Sequence, residues 1–283
     1  MPPSNSTPAG SAGASSPFRD DCLEGKVALV TGGGTGIGRG ISLTLARHGA
    51  KIVLASRDRD HLDPTAEEVR ELGSEALVVE LDVRDRETVA AAVDRTREEM
   101  GAVDILVNNA AGNFLVRAEE LSEGGWRAVV DIVLTGTFNL SQAVFPHMKE
   151  DGGGSIVNIT TTYTDTGAPW MAHSGAAKAG VLNLTRTLAT EWGRHGIRVN
   201  AVAPGLVEGT EGARRLVESI GLKEEFEKAV PLGRLTRVDD VALAVLFLCS
   251  PAADDVTGVE IVVDGGASLG GKFAQIGDMI PKG

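Results

Sequence analysis

The chain has 283 residues, a formal net charge of −12 and an apolar fraction of 42%. This acidic balance disfavours binding to nucleic acid or to an anionic membrane, because both need a basic face. The two cysteines, Cys22 and Cys249, lie far apart without a CxxC partner or a histidine cluster. They argue against a disulfide or a structural metal and fit a reducing compartment.

Residues 1–22 begin with a stretch rich in Ser, Pro, Gly and Ala, with no arginine before Arg19. They predict a disordered tail ahead of a single domain over residues 23–283. The tail has no apolar core like that of a signal peptide, although organellar targeting stays open as the less favoured interpretation. Because no apolar run approaches the roughly 20 residues that span a bilayer, we expect no membrane association and a cytoplasmic location.

From Lys26 onward, short β-branched runs alternate with longer amphipathic patterns. The strands read as continuous apolar runs, which is typical of strands covered on both faces. The alternation predicts an α/β fold, a doubly wound parallel sheet with helices on both faces. Helical patterns cover Arg86–Met100, Gly125–Lys149 and Ala176–Gly193. The predicted strands are Val27–Thr31, Lys51–Ser56, Ala76–Leu81, Ile105–Val107, Ser155–Thr160, Arg198–Ala203 and Val259–Val263.

The first strand runs directly into a glycine-rich turn, and a helical pattern follows from about Ile37. Glycines permit positive φ and let backbone N–H groups approach a pyrophosphate at a helix N-terminus. The spacing Gly32-x-x-x-Gly36-x-Gly38 differs from the commoner G-x-G-x-x-G fingerprint. The turn predicts a nicotinamide dinucleotide site, with candidate contacts at Gly32, Gly34, Thr35, Gly36, Ile37 and Gly38.

The second strand ends in Ala55-Ser56-Arg57, with no carboxylate at its tip. An acidic residue there, roughly 20 residues after the turn, is typical of NAD sites because it binds the ribose hydroxyls. Asp58 comes one residue later and is interpreted as a helix cap. Because a planar guanidinium suits a phosphate, Arg57 together with Arg39 predicts NADP(H) rather than NAD(H). The alternative for Arg57 is a solvated charge at a helix start.

Further landmarks follow the later strands: Asp82-Val83, the run from Val107 to Gly112, Arg198-Val199-Asn200 and Pro204-Gly205. With the glycine turn, they resemble the short-chain dehydrogenase/reductase superfamily over residues 24 to about 270. The resemblance implies a seven-stranded Rossmann-type sheet. It assigns Asp82 and Val83 to the adenine, and Asn109 and Ala110 to the ribose and nicotinamide side. It assigns Pro204, Gly205 and Val207 to the nicotinamide.

The catalytic motif departs from the superfamily pattern, in which a tyrosine precedes a lysine by four residues. One helical turn then places phenol and ammonium on the same face. Here Ser174 stands four residues before Lys178, and a serine hydroxyl is a much weaker acid than a phenol. The one tyrosine, Tyr163, follows the fifth strand, 15 residues before Lys178. A loop tyrosine without function is the alternative interpretation.

The Thr161-Thr162-Tyr163 loop, with Ser174 and Lys178 after it, is similar to the mitochondrial-type 2,4-dienoyl-CoA reductases. The segments Asn108–Phe114 and Asp131–Leu134 match as well, and Gly209–Gly212 resembles the peroxisomal type. The resemblance implies NADPH-dependent reduction of a 2,4-dienoyl-CoA to a 3-enoyl-CoA in unsaturated fatty acid β-oxidation. It implies catalytic roles for Tyr163, Lys178, Ser174 and Thr161.

One position departs from that family, which has asparagine where this chain has Thr135. In the family the asparagine helps bind the thioester oxygen, so the contact is altered here or the substrate differs. The alternative for Thr135 is a hydroxyl that bonds its own helix backbone. Phe114 is a candidate for the acyl slot, with Trp170 and Met171 as further candidates, although apolar residues at such positions are more often core.

The irregular segment over residues 204–231 predicts a substrate lid, with a structural excursion as the alternative. A CoA substrate carries phosphates, so an acidic protein needs basic residues at the entrance to its site. The candidates are Arg214, Arg215 and Lys223. The alternative is that these three are ordinary solvated charges. Family analogy implies a homotetramer. Two other functions stay open: a carbonyl reductase, such as a 3-oxoacyl-thioester reductase, and an inactive dinucleotide-binding regulator.

Overall fold

The computed structural model describes residues 18–214 and 223–269. Within them, seven strands form one parallel sheet in the order β3-β2-β1-β4-β5-β6-β7, which confirms the predicted fold class. Each strand is an apolar, β-branched run, and all but the edge strands are buried along most of their length. The strands are β1 (Val27–Thr31), β2 (Lys51–Ser56), β3 (Ala76–Glu80), β4 (Ile105–Asn108), β5 (Gly154–Ile159), β6 (Ile197–Pro204) and β7 (Glu260–Val263).

Helices connect the strands and cover both faces of the sheet. The first six are α1 (Gly36–Arg47), α2 (Asp63–Glu71), α3 (Arg86–Glu99), α4 (Glu123–Val130), α5 (Gly136–Glu150) and α6 (Ala172–Trp192). After β6 come α7 (Glu211–Ala213), α8 (Lys223–Ala229) and α9 (Val238–Cys249). Short 3₁₀ turns also occur, among them Arg59–His61 and Gly193–His195.

Two apolar clusters form the core, one on each face of the sheet. The first packs α1, α2 and α9 against the sheet, with Ile41, Val69 and Leu246 fully buried. The second packs α3, α5 and the C-terminal part of α6 against the other face, around Leu140 and Leu188. Because both faces are covered, the central strands carry no alternation of apolar and polar residues.

The predicted helix over Gly125–Lys149 contains an irregularity that the sequence pattern does not show. Helix α4 continues through a π-helical segment at Asp131–Thr135 into α5, so that the continuous helix spans Glu123–Glu150. This helix is long and apolar enough, by length and composition, to cross a membrane. About 44% of its most apolar window is buried inside the fold, and a single helix of this kind is weak evidence for a membrane span.

The predicted tail overlaps with ordered structure at its end. Phe18 packs against the first core cluster and meets the ring of His48 edge-on at 6.5 Å between ring centroids. Residues 20–25 form a turn, and the N–H of Leu23 bonds the carbonyl of His48 at 2.8 Å. The packed part of the chain therefore begins before the boundary predicted at residue 22, and residues 1–17 lie outside the described residues.

The predicted lid begins where β6 ends and includes α7 and α8. Val207 is buried and forms a parallel bridge with Thr236, which ties the start of the lid to the segment after it. Residues 215–222 lie outside the described residues, and with them Arg215.

Candidate active site

The candidate site residues follow the carboxyl ends of β1 to β6, at one edge of the sheet. Because all the strands are parallel, segments distant in sequence meet there. The glycine turn follows β1, Arg57 follows β2, and Asp82 and Val83 follow β3. The remaining segments are Asn109-Ala110 after β4, Thr161–Tyr163 after β5 and Gly205–Val207 after β6.

The glycine turn has a geometry that larger residues cannot adopt. Gly36 has φ +49°, in the left-handed region that favours glycine. A Cβ on Gly38 would lie 2.0 Å from the carbonyl oxygen of Gly32, and one on Gly34 would lie 2.0 Å from that of His61. The turn therefore packs backbone against backbone, and it fits the close approach that a pyrophosphate requires.

The N-terminus of α1 is suited to an anion. Thr35 is the N-cap residue, yet its side chain makes no capping bond, and the first turn carries no acidic residue. The N–H groups at a helix start lack partners within the helix, and together with the helix dipole they attract a negative charge. A phosphate group of a dinucleotide matches these donors in charge and position.

Asn109 and Thr31 hold the glycine turn against the end of β4. The Asn109 amide nitrogen donates to the carbonyl of Thr31 at 3.0 Å, and the Thr31 hydroxyl accepts from the N–H of Asn109 at 3.0 Å and of Ala110 at 2.9 Å. The Asn109 side chain thus positions the turn.

The end of β2 agrees with a phosphate-bearing ligand. Arg57 is exposed, and Asp58 caps the 3₁₀ turn by accepting the N–H of Asp60 at 3.0 Å, as predicted. Its carboxylate therefore has a structural partner. Arg39 donates through Nε to Glu68 on α2 at 2.9 Å. Its predicted role beside Arg57 at a 2′-phosphate stays a prediction, and a phosphate would have to compete with this carboxylate for Arg39.

Near Arg57 lies a second arginine, Arg84, which was not predicted from the sequence. Arg84 bonds the Asp82 carboxylate through Nε at 2.9 Å and Nη2 at 2.5 Å. This hydrogen bonding from Arg84 is the main cause that lowers the pKa of Asp82 to about 2, and Arg57 adds a smaller electrostatic contribution. Asp82 therefore stays ionised between two guanidinium groups near the predicted adenine position.

The far side of the predicted cofactor cleft is formed by the end of β6. The N–H of Gly205 bonds the carbonyl of Val263 at 2.9 Å, and a Cβ on Gly205 would lie 2.8 Å from that of Asp264. Thr210 lies beside the glycine turn, since a Cβ on Gly36 would lie 3.6 Å from its methyl group. Pro204, Gly205 and Val207 are thus fixed by neighbours on β7 and in the lid.

The predicted catalytic residues come together at the start of α6. The Tyr163 hydroxyl lies 3.2 Å from the Ser174 hydroxyl, within hydrogen-bond distance. Tyr163 also lies over the first turn of α6, because a Cβ on Gly175 would be 3.9 Å from its ring. Lys178 is buried one helical turn after Ser174, and its ammonium donates to the carbonyl of Ile159 at the end of β5.

Burial lowers the pKa of Lys178 to about 8, because desolvation disfavours the charged form. Thr161, the other predicted catalytic residue, is half-buried directly after β5. It makes no side-chain hydrogen bond to the rest of the described chain. The arrangement therefore offers a phenol, two further hydroxyls and a cationic amine at one end of the sheet.

A buried polar network between the strands and helices holds these residues in place. The Asn108 amide nitrogen donates to the Asn158 side-chain oxygen at 2.8 Å and to Ser141 at 3.2 Å. The Asn158 amide nitrogen donates to the Thr185 hydroxyl at 2.9 Å. The network joins β4, β5, α5 and α6, so that it fixes α6 relative to the strand ends.

Thr135 ends the π-helical segment and is exposed. Thr137 and Ser141 each donate to the carbonyl four residues before, at 2.7 Å in both cases. Thr135 has no such bond to any described residue, which contradicts the interpretation that it bonds its own backbone. Its hydroxyl is available to a ligand. π-Helical segments occur often at functional sites.

The candidate substrate contacts differ in their surroundings. Phe114 is 40% exposed and meets the ring of His173 edge-on, with 4.5 Å between ring centroids. Trp170 is 55% exposed and has φ +62°, a conformation that bulky residues rarely adopt. Arg214 forms an ion pair with Glu211 on the same turn of chain. A CoA phosphate would therefore compete with a carboxylate for Arg214.

Comparisons with known proteins agree with this geometry. The profile of the family described as Enoyl-(Acyl carrier protein) reductase matches residues 32–268. The chain is 45% identical over 253 residues to the peroxisomal 2,4-dienoyl-CoA reductase [(3E)-enoyl-CoA-producing] of Danio rerio, covering 89% of this chain and 84% of that one. It is 39% identical to the probable 2,4-dienoyl-CoA reductase [(2E)-enoyl-CoA-producing] of Bacillus subtilis, covering 87% and 98%.

A solved structure shares both fold and sequence. The gluconate 5-dehydrogenase of Burkholderia cenocepacia, in complex with NADP and tartrate, has a TM-score of 0.84 and 37% identity. The likeness covers 88% of this chain and 98% of that one. The parallel sheet, the glycine turn and these matches over most of the chain together identify it. The chain belongs to the short-chain dehydrogenase/reductase family.

Proposed function

We propose that this oxidoreductase reduces a 2,4-dienoyl-CoA to a 3-enoyl-CoA with NADPH. The observation that carries the proposal is the placement of the Tyr163 phenol, 3.2 Å from the Ser174 hydroxyl that stands four residues before Lys178. The phenol that the family normally carries on α6 is thus supplied from the loop after β5. The 2,4-dienoyl-CoA reductases among the relatives support the substrate class.

The cofactor side is assigned to the glycine turn and the strand ends around it. When bound, the reduced nicotinamide supplies a hydride to the δ carbon of the dienoyl chain. The N-terminus of α1 would hold the pyrophosphate, while Lys178 would hold the nicotinamide ribose. Pro204, Gly205 and Val207 would close the nicotinamide side, and Asn109 would keep the turn in place.

Addition of a hydride at the δ carbon moves the electrons of both double bonds toward the thioester, and negative charge develops on its oxygen. Donors fixed around that oxygen stabilise the dienolate. Tyr163 is the proton source in this proposal, and transfer of its proton to the α carbon leaves the remaining double bond between carbons 3 and 4. Ser174 holds the phenol in position, and Thr161 is the accessory hydroxyl beside it.

Substitution of Tyr163 tests this role. We expect Tyr163→Phe to lower kcat for a 2,4-dienoyl-CoA by about 10²–10³-fold, because a proton donor at the developing charge is lost. The binding of NADPH, measured by fluorescence, should stay unchanged. The measurement is NADPH oxidation by absorbance, with several acyl chain lengths. A Tyr163→Phe enzyme with full activity would overturn the assignment.

The position of the product double bond tests the proton route separately. Protonation at the α carbon gives a 3-enoyl-CoA, whereas protonation at the γ carbon gives a 2-enoyl-CoA. The relatives include both a (3E)-enoyl-CoA-producing and a probable (2E)-enoyl-CoA-producing reductase. We expect nuclear magnetic resonance spectra of the product to show a 3-enoyl-CoA. A 2-enoyl product would keep the reductase function and move the proton donor to the other carbon.

Preference for NADP(H) rests on the second strand end, where Arg57 is exposed and Asp58 is engaged as a cap. We expect NADPH to bind at least about tenfold more tightly than NADH, a difference of roughly 1.4 kcal/mol. Arg57→Ala should remove most of that preference without weakening NADH binding, because NADH lacks the 2′-phosphate. Isothermal titration measures both. Tighter binding of NADH by the wild type would overturn the prediction.

A carbonyl reductase is the nearest alternative, and one solved structure similar to this chain is a gluconate 5-dehydrogenase. Carbonyl reductases of this family carry the phenol four residues before the lysine, where this chain has Ser174, and this departure disfavours that function. Parallel assays with acetoacetyl-CoA and a 2,4-dienoyl-CoA separate the two functions. The homotetramer, the cytoplasmic location and the absence of nucleic-acid or membrane partners stay predictions.

A further inference from the structure

His173 holds a hydrogen-bond donor that the fold itself does not use. The side chain is fully buried, and its Nε2 is without a hydrogen-bond partner among residues 18–214 and 223–269. The other ring nitrogen, Nδ1, accepts the N–H of Ser174 at 2.7 Å. Because Nδ1 is the acceptor, the neutral ring carries its proton on Nε2. Nε2–H is therefore a buried donor.

His173 lies between α4 and Phe114, the candidate residue of the acyl slot. The Phe114 ring covers the His173 ring edge-on, with 4.5 Å between centroids, and is itself 40% exposed. Ala177, one helical turn after His173, packs with Val129 and Val133 of α4 and the π-helical segment. His173 thus lies on the face of α6 that meets this segment. The next residue, Ser174, contacts Tyr163.

An unsatisfied buried donor destabilises a protein by about 1–3 kcal/mol, so the Nε2–H of His173 requires a partner that the described residues do not supply. Burial also lowers the pKa of His173, which keeps the ring neutral and the donor on Nε2. A neutral imidazole N–H donates a hydrogen bond to an oxygen without transferring its proton. The dienolate oxygen needs such a donor, because Tyr163 gives its own proton away during the proposed reaction.

We propose that His173 contacts the substrate, and that its Nε2–H donates a hydrogen bond to the thioester oxygen when the Phe114 ring turns aside. This inference rests on the proposed dienoyl-CoA reductase function. Tyr163 then supplies the proton and His173 stabilises the charge, so the two tasks fall to different groups. His173 is also the residue that fixes the N–H of Ser174, which connects the two halves of the site.

Two substitutions separate these contacts. His173→Asn keeps a side-chain oxygen near the position of Nδ1, so it retains an acceptor for Ser174 but removes the donor at Nε2. His173→Gln does the reverse, because its longer amide reaches the position of Nε2. We expect His173→Asn to lower kcat by about 10²-fold, since one donor to the developing oxyanion is lost. His173→Gln should stay within about tenfold of the wild type, and NADPH affinity should be unchanged in both.

Ultraviolet absorption of the bound dienoyl-CoA gives a readout independent of turnover. A hydrogen bond to the thioester oxygen polarises the conjugated system and moves its absorption to longer wavelength. We expect this shift with the wild type and with His173→Gln, and a smaller one with His173→Asn. Thermal unfolding of each variant shows whether it folds, and the Gln variant keeps the test valid if the Asn variant does not.

The outcomes distinguish the inference from the function beneath it. A wild-type enzyme that reduces no dienoyl-CoA overturns the proposed function and the inference with it. If the wild type is active and His173→Asn matches it in rate and absorption shift, the inference alone falls. Loss of activity in His173→Gln with retention in His173→Asn would assign His173 to positioning Ser174, and it would overturn the substrate contact.

Discussion

Lys178 illustrates how the fold changes the chemistry of a single residue. Its amine is buried beneath the site and donates to the carbonyl of Ile159 at the end of β5. Burial lowers the pKa to about 8, so the charge that the proposed mechanism needs is present at neutral pH and is lost at moderately alkaline pH. An exposed lysine would keep its charge to a pH above 10.

The pH dependence of kcat/KM tests this role, because it reports the ionisation of the free enzyme. Lys178 is protonated below its pKa, so activity should fall as the pH rises through about 8. An arginine keeps its charge over this range. The Lys178→Arg variant should therefore retain reduced activity without that alkaline decline. The same decline in both enzymes would assign the ionisation to another group.

At the scale of elements, the glycine turn and α1 form one unit. Gly38 packs its Cα against the backbone of the turn, and a Cβ there would meet the oxygen of Gly32 at 2.0 Å and the Asn109 amide nitrogen at 2.6 Å. Gly193, after α6, has open space around its Cβ position and a negative φ of −53°. A side chain at position 38 would therefore clash with its neighbours, whereas position 193 has room for one.

Substitution of these glycines by alanine separates the two cases. Gly38→Ala should weaken NADPH binding by at least about tenfold, since the turn must move to make room. The matched control, Gly193→Ala, should leave binding unchanged, because its methyl group meets nothing within 4 Å. Fluorescence titration measures both. Equal affinities would show that the turn adapts, and they would contradict a role of its close packing in binding.

At the scale of the whole molecule, the buried network of Asn108, Asn158, Thr185 and Ser141 joins the centre of the sheet to α5 and α6. Each member bonds a residue at least 27 positions away in sequence. The network therefore forms only when the sheet and its helices are assembled. It couples the stability of the core to the position of α6, which carries Ser174 and Lys178.

Two threonines on α6 provide a matched test of this network. Thr185 and Thr190 both donate to the carbonyl four residues before, but Thr185 is buried and accepts from Asn158, while Thr190 is exposed. Thr185→Ala should lower the free energy of unfolding by about 1–3 kcal/mol, because it leaves the Asn158 amide without its partner. Thr190→Ala should change it by less than about 0.5 kcal/mol.

Urea denaturation at one protein concentration measures both variants, so that assembly contributes equally. Similar values for the two threonines would show that the Asn158 contact adds nothing beyond the bond within the helix.

The pattern of residues along the chain was sufficient to predict the positions of the strands, because β-branched apolar runs bounded by turns indicate strands. The predicted boundaries at Val27–Thr31 and Lys51–Ser56 are confirmed, and the ends of the other strands differ from the predicted ones by at most one residue. The glycine turn and the position of Tyr163 relative to Lys178 were likewise visible in the sequence. Their roles in binding and catalysis stay predictions.

Other features depend on contacts between distant segments, which no local pattern contains. Arg39 binds Glu68 on α2, 29 residues away in sequence. The π-helical segment leaves the apolar periodicity of its helix intact, so the sequence does not show it. His173 could not be found from the sequence, because the burial of its ring and the missing partner at Nε2 depend on segments such as Phe114 that are distant in sequence.

The sequence by itself thus determined the order of strands and helices and the kind of dinucleotide turn, because each depends on residues within a few positions of one another. Tertiary structure decided which charged and polar groups are engaged and which stay available. Asp58 is engaged as a cap, whereas the buried Nε2–H of His173 is unpaired within the described chain. Availability depends on what packs against a group, and that is fixed only when the sheet and helices come together.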